Sequence, residues 1–270
     1  MSKQKPPQRI FPPAKQDAKA ALQHPTTPQT EDPAYRLAFQ DMDFLLREDL
    51  RPVRFQLELL KPELMLDEAG IASTLVVYGS ARTPAPESKS TTHMPLHVDY
   101  YEHARALAKL ASTSPRDENG KRHFVVCSGG GPGIMEAANR GAVEAGAETI
   151  GLNIVLPFEQ APNAFVTPHL SFNFHYFALR KMHFLIRARA VAVFPGGFGT
   201  MDEMFELLTL MQTGKIKKLP VVLFSRRFWT RIINFEALVE EGVISATDLN
   251  LFKFADSADE AWAAIQAFYA

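Results

Sequence analysis

One cysteine, Cys127, in 270 residues leaves no intramolecular disulfide and no cysteine cage for a metal. His175 and His183 lack the acidic or cysteine spacing that would make them ligands, so neither a metal nor another cofactor is expected. No apolar run approaches the roughly 20 residues that span a bilayer. The first residues, Met1-Ser2-Lys3-Gln4-Lys5-Pro6-Pro7, lack the apolar core of a signal peptide. These absences predict a cytoplasmic protein with no membrane partner. Neither charge sign is in excess: 29 Lys and Arg against 30 Asp and Glu give a formal net charge of −1. Nothing global therefore draws the chain to nucleic acid, and a charged ligand must be held by a local site. Two common nucleotide signatures are also missing. After Gly129 and Gly131 the dinucleotide fingerprint asks for a third glycine where Ile134 stands, and no Walker lysine follows.

What is present reads in three parts. Residues 1–33 are rich in Pro, Gln, Lys, Ala and Thr without apolar period, as in a disordered arm. Residues 34–70 carry helical spacing (Leu37, Phe44, Leu45, Phe55, Leu59), which Pro52 and Pro62 should break into short helices. This extension is expected to pack on the core, over a sheet edge or at an interface. From Ile71 to the end, residues 71–270, apolar β-branched runs alternate with helical patterns. The runs lie near 74–78, 123–127, 149–156, 170–174, 190–194, 219–224 and 251–254. Helices are expected near 98–111, 134–145, 176–187, 204–211, 228–240 and 258–268, with loops over 83–95 and 157–168. The fold class is α/β: a doubly wound, mostly parallel, Rossmann-like sheet with an N-terminal helical extension. Ligands of such sheets bind at the carboxyl ends of the strands.

Four stretches stand at those ends. Gly79-Ser80-Ala81-Arg82 joins a strand-end glycine to a hydroxyl and a guanidinium, suiting a phosphate, though an ordinary turn with a surface arginine also fits. Ser128 opens a run with Gly129, Gly130, Gly131 and Gly133, more glycine than capping requires; Pro132 suits a first helical position with Gly131 as N-cap. Arg180 and Lys181 fall in the first turns of a helix; the bland alternative for them and Arg187 is a solvated face. Most glycine-rich is Pro195-Gly196-Gly197-Phe198-Gly199-Thr200, followed by Met201-Asp202-Glu203. There a helix N-terminus can bind phosphate through its N–H groups. Thr200 and Glu203 also match a capping box, which would make Glu203 structural.

Together these stretches resemble the Lonely-Guy (LOG) family, once widely labelled lysine decarboxylases. The resemblance covers about 71–270 and rests on Gly79 to Arg82, Gly129 to Gly131, Arg180-Lys181 and the Pro-Gly-Gly-x-Gly-Thr-x-x-Glu motif ending at Glu203. Phe184 stands where many members have Met, and residues 1–70 lie outside the compact plant-type pattern. The resemblance implies a nucleoside 5′-monophosphate phosphoribohydrolase acting on AMP or cytokinin riboside monophosphates. It implies Arg180 and Glu203 as the catalytic pair. It also implies a nucleotide pocket of Gly79, Ser80, Arg82, Gly129, Gly130, Gly131, Lys181, Gly196, Gly197, Gly199 and Thr200, and a homodimer or higher homo-oligomer. A non-catalytic nucleotide or cofactor carrier on the same fold is the alternative. Lys181 has no accompanying pattern for pyridoxal phosphate, so the decarboxylase label has no support in the residues.

Overall fold

A computed structural model of the chain describes residues 10–87, 98–157 and 161–270. Positions 1–9 of the expected arm, 88–95 of the first expected loop and 158–160 of the second lie outside the described residues. The chain divides into two compact units, Met1–Leu57 and Glu58–Ala270.

In the first unit the segment expected to lack structure contains α1 (Ala14–Ala20) and α2 (Pro28–Glu31), neither with a buried residue. The Thr27 side chain caps α2 by accepting from the Thr30 N–H. Asp41 does the same for α3 (Met42–Leu45), accepting from Phe44. Next, α4 (Arg51–Glu68), which continues from Glu58 as part of the second unit, is one helix of 18 residues, not the short pieces that its prolines suggest. Pro52 sits in the first turn, where its missing N–H has no intrahelical acceptor to lose. Pro62 lies inside and leaves the Glu58 carbonyl without its helical donor, a vacancy filled by His183 Nε2 at 3.0 Å.

In the second unit the strands are β1 (Thr74–Tyr78), β2 (Val125–Ser128), β3 (Ile150–Ile154), β4 (Ser171–Phe174), β5 (Ala188–Val193), β6 (Val221–Phe224) and β7 (Lys253–Ala255). Among the described residues they form one sheet in the order β4-β3-β2-β1-β5-β6-β7, every pair parallel. Between them run α5 (Val98–Ser112), α6 (Ile134–Glu144), α7 (Phe177–Ile186), α8 (Phe198–Gln212), α9 (Arg226–Ile232) and α10 (Phe235–Glu240), and α11 (Ala258–Ala267) follows the last strand. The single helix expected over 228–240 is two helices, because Asn234 caps a fresh start by accepting from the Ala237 N–H.

The period-2 alternation of the strands sorts the core into two layers. Val76 and Tyr78 face Phe184 of α7 and Met204 and Leu207 of α8. Leu75 and Val77 face Tyr101 and Leu107 of α5, Ile134 of α6 and Ile265 of α11. Each such buried side chain contributes about 1.5–3 kcal/mol. Strand β1 is the switch point: the chain moves outward through β2, β3 and β4 on one side and through β5, β6 and β7 on the other. The crevice of such a sheet opens at the carboxyl ends of β1 and β5.

Helices α5 and α6 approach closely because small residues line their contact, among them Ala104, Ala108, Ala138 and Gly141. A Cβ on Gly141 would collide with the backbone carbonyl of Arg105, which cannot move without α5. Gly141→Ala should therefore destabilise the fold by about 1–3 kcal/mol. Thermal or urea unfolding checks this, and an unchanged midpoint contradicts the packing described.

Candidate functional site

The turn after β1 is fixed by its neighbours before any ligand is considered. The Ser80 N–H donates to the Pro195 carbonyl at 3.1 Å, tying the ends of β1 and β5 together. The Ser80 carbonyl accepts from the Ile134 N–H at 3.0 Å, which sets the start of α6 against the same turn. That start is later than Gly131 and Pro132 suggest. Gly133 is the N-cap with φ +70°, and its missing Cβ leaves room for the Ser80 carbonyl. The Ser80 hydroxyl accepts from the Arg82 N–H at 3.0 Å, shaping the turn that carries Arg82 to the cavity edge.

Helix α8 starts earlier than the capping box requires. Gly197 is its N-cap, and Met201 N–H donates to the Gly197 carbonyl at 3.0 Å. Thr200 thus lies inside the first turn, buried with its hydroxyl packed over Gly196, and makes no cap. Glu203 falls in the second turn, where no backbone N–H is vacant. The capping-box reading is corrected by this geometry. Two glycines let the helix begin directly after Pro195, and Glu203 is left without a structural duty as a cap.

Arg180, in the first turn of α7, is 9% exposed, so the solvated-face reading does not hold for it. Its Nε donates to the Leu152 carbonyl at 2.7 Å, and its guanidinium lies 5.1 Å from the Phe184 ring centroid. Tyr78 meets the same ring edge-on at 5.1 Å. Arg180 Nη1 stands 3.5 Å from Glu203 Oε1, a charge contact too long to be a short hydrogen bond. A Cβ on Gly129 would stand 2.6 Å from Arg180 Nη2, so this glycine supplies room for the guanidinium.

The rest of the glycine turn is held from behind. Gly130 has φ +74° and no space for a Cβ against Asn153. Asn163 Nδ2 lies 3.0 and 2.9 Å from the carbonyls of Gly130 and Gly131, and the Asn163 N–H donates to Gly130 at 2.8 Å. Buried Asn139 accepts from the Ser128 hydroxyl at 2.7 Å and donates to Thr149. None of these asparagines stands out in the sequence, since each acts across a distance that spacing does not encode.

A cavity of about 620 Å³ brings together Gly79, Ser80, Arg82, Arg180, Gly197, Gly199, Thr200 and Glu203. Ala81, Met135, Phe198 and Met201 complete its wall, all from the stretches that the sequence places at the strand ends. Gly129, Gly130, Gly131 and Gly196 back this wall without lining it. Lys181 does not line it either: Nζ pairs with Asp202 at 3.0 Å and Glu206 at 2.9 Å. Arg187 pairs with Glu63 and Asp67, and His183 serves the Glu58 carbonyl. Among the described residues, no group of three His, Cys, Asp or Glu side chains is placed to hold a metal ion, and no helix is long and apolar enough to cross a membrane.

Burial pushes the Glu203 carboxyl up to about 7, beyond what the Arg180 charge pulls back. Unfolded, the group ionises near 4.5. The folded chain thus holds an extra proton between about pH 4.5 and 7, stability falls as pH rises through that window, and the loss is complete above it. Glu203→Gln removes this penalty and should stabilise the protein by about 1–3 kcal/mol near pH 8 and by little near pH 4.5. Urea titrations of both proteins at the two pH values test it; an equal difference at both would contradict the assignment.

A family model described as "Possible lysine decarboxylase" matches residues 135–265, which contain α7 and α8. The chain is 28% identical over 139 residues to a probable cytokinin riboside 5′-monophosphate phosphoribohydrolase, LOG4, of Oryza sativa subsp. japonica. That match covers 50% of this chain and 59% of the rice protein. It is 27% identical over 139 residues to cytokinin riboside 5′-monophosphate phosphoribohydrolase LOG1 of Arabidopsis thaliana, covering 50% and 64%. The chain thus spans 59% and 64% of the length of these two relatives. Among solved structures, the molybdenum cofactor binding protein of Rippkaea orientalis is similar with a TM-score of 0.46 and 18% identity, over 73% of this chain and 98% of that one. The molybdenum cofactor carrier protein of Chlamydomonas reinhardtii is similar at 0.45 and 20%, with the same coverage. The Arg180-Lys181 pair and the glycine-rich run ending at Glu203 both fall inside the family match, and over that part the chain is similar to LOG proteins.

Proposed function

We propose that the chain hydrolyses the N-glycosidic bond of a nucleoside 5′-monophosphate, AMP or a cytokinin riboside monophosphate, to free base and ribose 5-phosphate. The observation that carries this reading is the pair of buried Arg180 and half-buried Glu203, 3.5 Å apart on the wall of a cavity where α8 begins. The first N–H groups of α8 point to where a 5′-phosphate is favoured, with Gly197 and Gly199 leaving open space beside them. Breaking the C1′–N bond sends its electron pair to the base and leaves an oxocarbenium-like ribosyl cation. An ionised Glu203 stabilises that cation and accepts a proton from the water whose oxygen attacks C1′. A guanidinium is a poor general acid, so Arg180 supports charge on the phosphate or the departing base rather than donating a proton. The departing base takes its proton from solvent.

The wild-type protein should release base and ribose 5-phosphate from AMP or from isopentenyladenosine monophosphate. Turnover should rise as pH passes about 7, where Glu203 becomes ionised. Glu203→Gln should lower it on the order of 100-fold or more. Base release followed by chromatography is the measurement. Tight nucleotide binding without base from any purine or pyrimidine monophosphate would favour the carrier instead.

The expected homodimer is supported by apolar side chains exposed beside the site: Phe177, Met182 and Ile186 on α7 and Phe205 on α8. Light scattering should give twice the mass of one chain. A monomer at micromolar concentration overturns this part of the reading.

A further inference from the structure

The helix that carries Arg180 begins without a cap of its own. Tyr176 is the N-cap of α7 and its side chain makes no capping bond. The backbone N–H groups of His175 and Tyr176 donate instead to the two carboxylate oxygens of Glu58, at 2.8 and 3.2 Å. A carboxylate at a helix N-terminus is also favoured by the dipole. Glu58 holds α7 a second time through its own carbonyl, the one that Pro62 leaves vacant, which accepts from His183 Nε2 at 3.0 Å. The carbonyl can only accept, so Nε2 carries a proton, and burial favours the neutral ring, which leaves Nδ1 without one. His183 Nδ1 is buried without a hydrogen-bond partner.

One residue therefore grips α7 on both sides of Arg180. Further along, Arg187 pairs with Glu63 and Asp67 of α4. Glu58 reaches 175–176 and 183, and Glu63 and Asp67, farther along α4, reach Arg187 at the other end of α7, so the two helices run in the same direction. Arg180 has two further fixed points, the Leu152 carbonyl and Glu203. A slide of α7 relative to β3 or α8 breaks one or the other.

We propose that Glu58 is a positioning residue for the Arg180–Glu203 pair, holding the start of α7 so that the guanidinium stays within reach of the carboxylate. Its consequence for turnover rests on the hydrolytic reading above; its consequence for geometry does not. The distinction lets the two be tested apart.

The variants are Glu58→Ala, which removes both acceptor oxygens, and Glu58→Gln, which keeps one. The first readout is the titration of Glu203, followed by NMR in protein carrying ¹³C-labelled glutamate, without nucleotide. With Arg180 displaced, the Glu203 carboxyl should titrate above its native value of about 7, more in Glu58→Ala than in Glu58→Gln. Loss of the Glu58 charge alone acts with the opposite sign, since removing a nearby negative group lowers a carboxyl pKa. An upward shift is thus specific to displacement of Arg180. The second readout is turnover of AMP: kcat should fall on the order of tenfold in Glu58→Ala with KM within about twofold. An unmoved or lowered Glu203 titration in a cooperatively folding variant overturns the proposal, even where kcat falls. If Glu58→Ala does not fold, Glu58→Gln decides by the same criterion. A wild-type protein without turnover removes the hydrolytic reading, and the titration still decides the role of Glu58.

Discussion

Glu203 is a half-buried carboxyl group beside a single guanidinium, and most of the local architecture follows from keeping that arrangement intact. An unpaired buried carboxylate costs several kcal/mol, and a tightly paired one loses its freedom to act on a ligand. The 3.5 Å separation from Arg180 sits between these limits. Burial outweighs the pairing, which is why the group titrates near neutrality rather than in the usual carboxylate range. Arg180 must then be anchored elsewhere, and it is: by the Leu152 carbonyl, by the Phe184 ring and by the space that Gly129 leaves. Phe184, where many LOG proteins carry Met, offers the negative face of a ring to the cation. In return Tyr78 packs its own ring on Phe184 from the sheet side.

Behind the cavity, a second set of groups solves a separate problem. A glycine-rich turn exposes carbonyls that have no ladder partner, and buried carbonyls without donors are costly. Asn163 satisfies two of them, Asn139 ties Ser128 to Thr149, and Asn153 packs against Gly130. The turn is pinned by these contacts although its residues are the most permissive in the chain. They set Gly129 where its missing side chain leaves room for Arg180.

Local chemistry was legible in the sequence and long-range placement was not. Strand β1 falls on the apolar run read as 74–78, because a buried parallel strand leaves a continuous β-branched signature. The βα turns also declare themselves, since glycine at the end of an apolar run has few other uses. The start of α8 was misplaced because Thr200 to Glu203 satisfies two local structures equally well. Only the helix beginning at Phe198 separates them. Lys181 shows the reverse: it sits beside Arg180 in sequence but points to Asp202 and Glu206, away from the cavity. Adjacent helical positions differ by about 100° in direction, so a motif pair need not be a structural pair.

Pro62 illustrates how a local penalty can become specific information. Read alone, it ends a helix, and by propensity it costs about 3 kcal/mol in a helix interior. Within α4 it persists because the carbonyl it orphans is not wasted: His183 uses it, and the imidazole is thereby fixed in one tautomer. A regular helix would have consumed that carbonyl internally and left His183 Nε2 with no acceptor in a buried position. Glu58 consequently presents two kinds of acceptor to α7, the carboxylate at its start and the carbonyl farther along. The defect in one helix sets the register of another, and the side chain held in that register is Arg180.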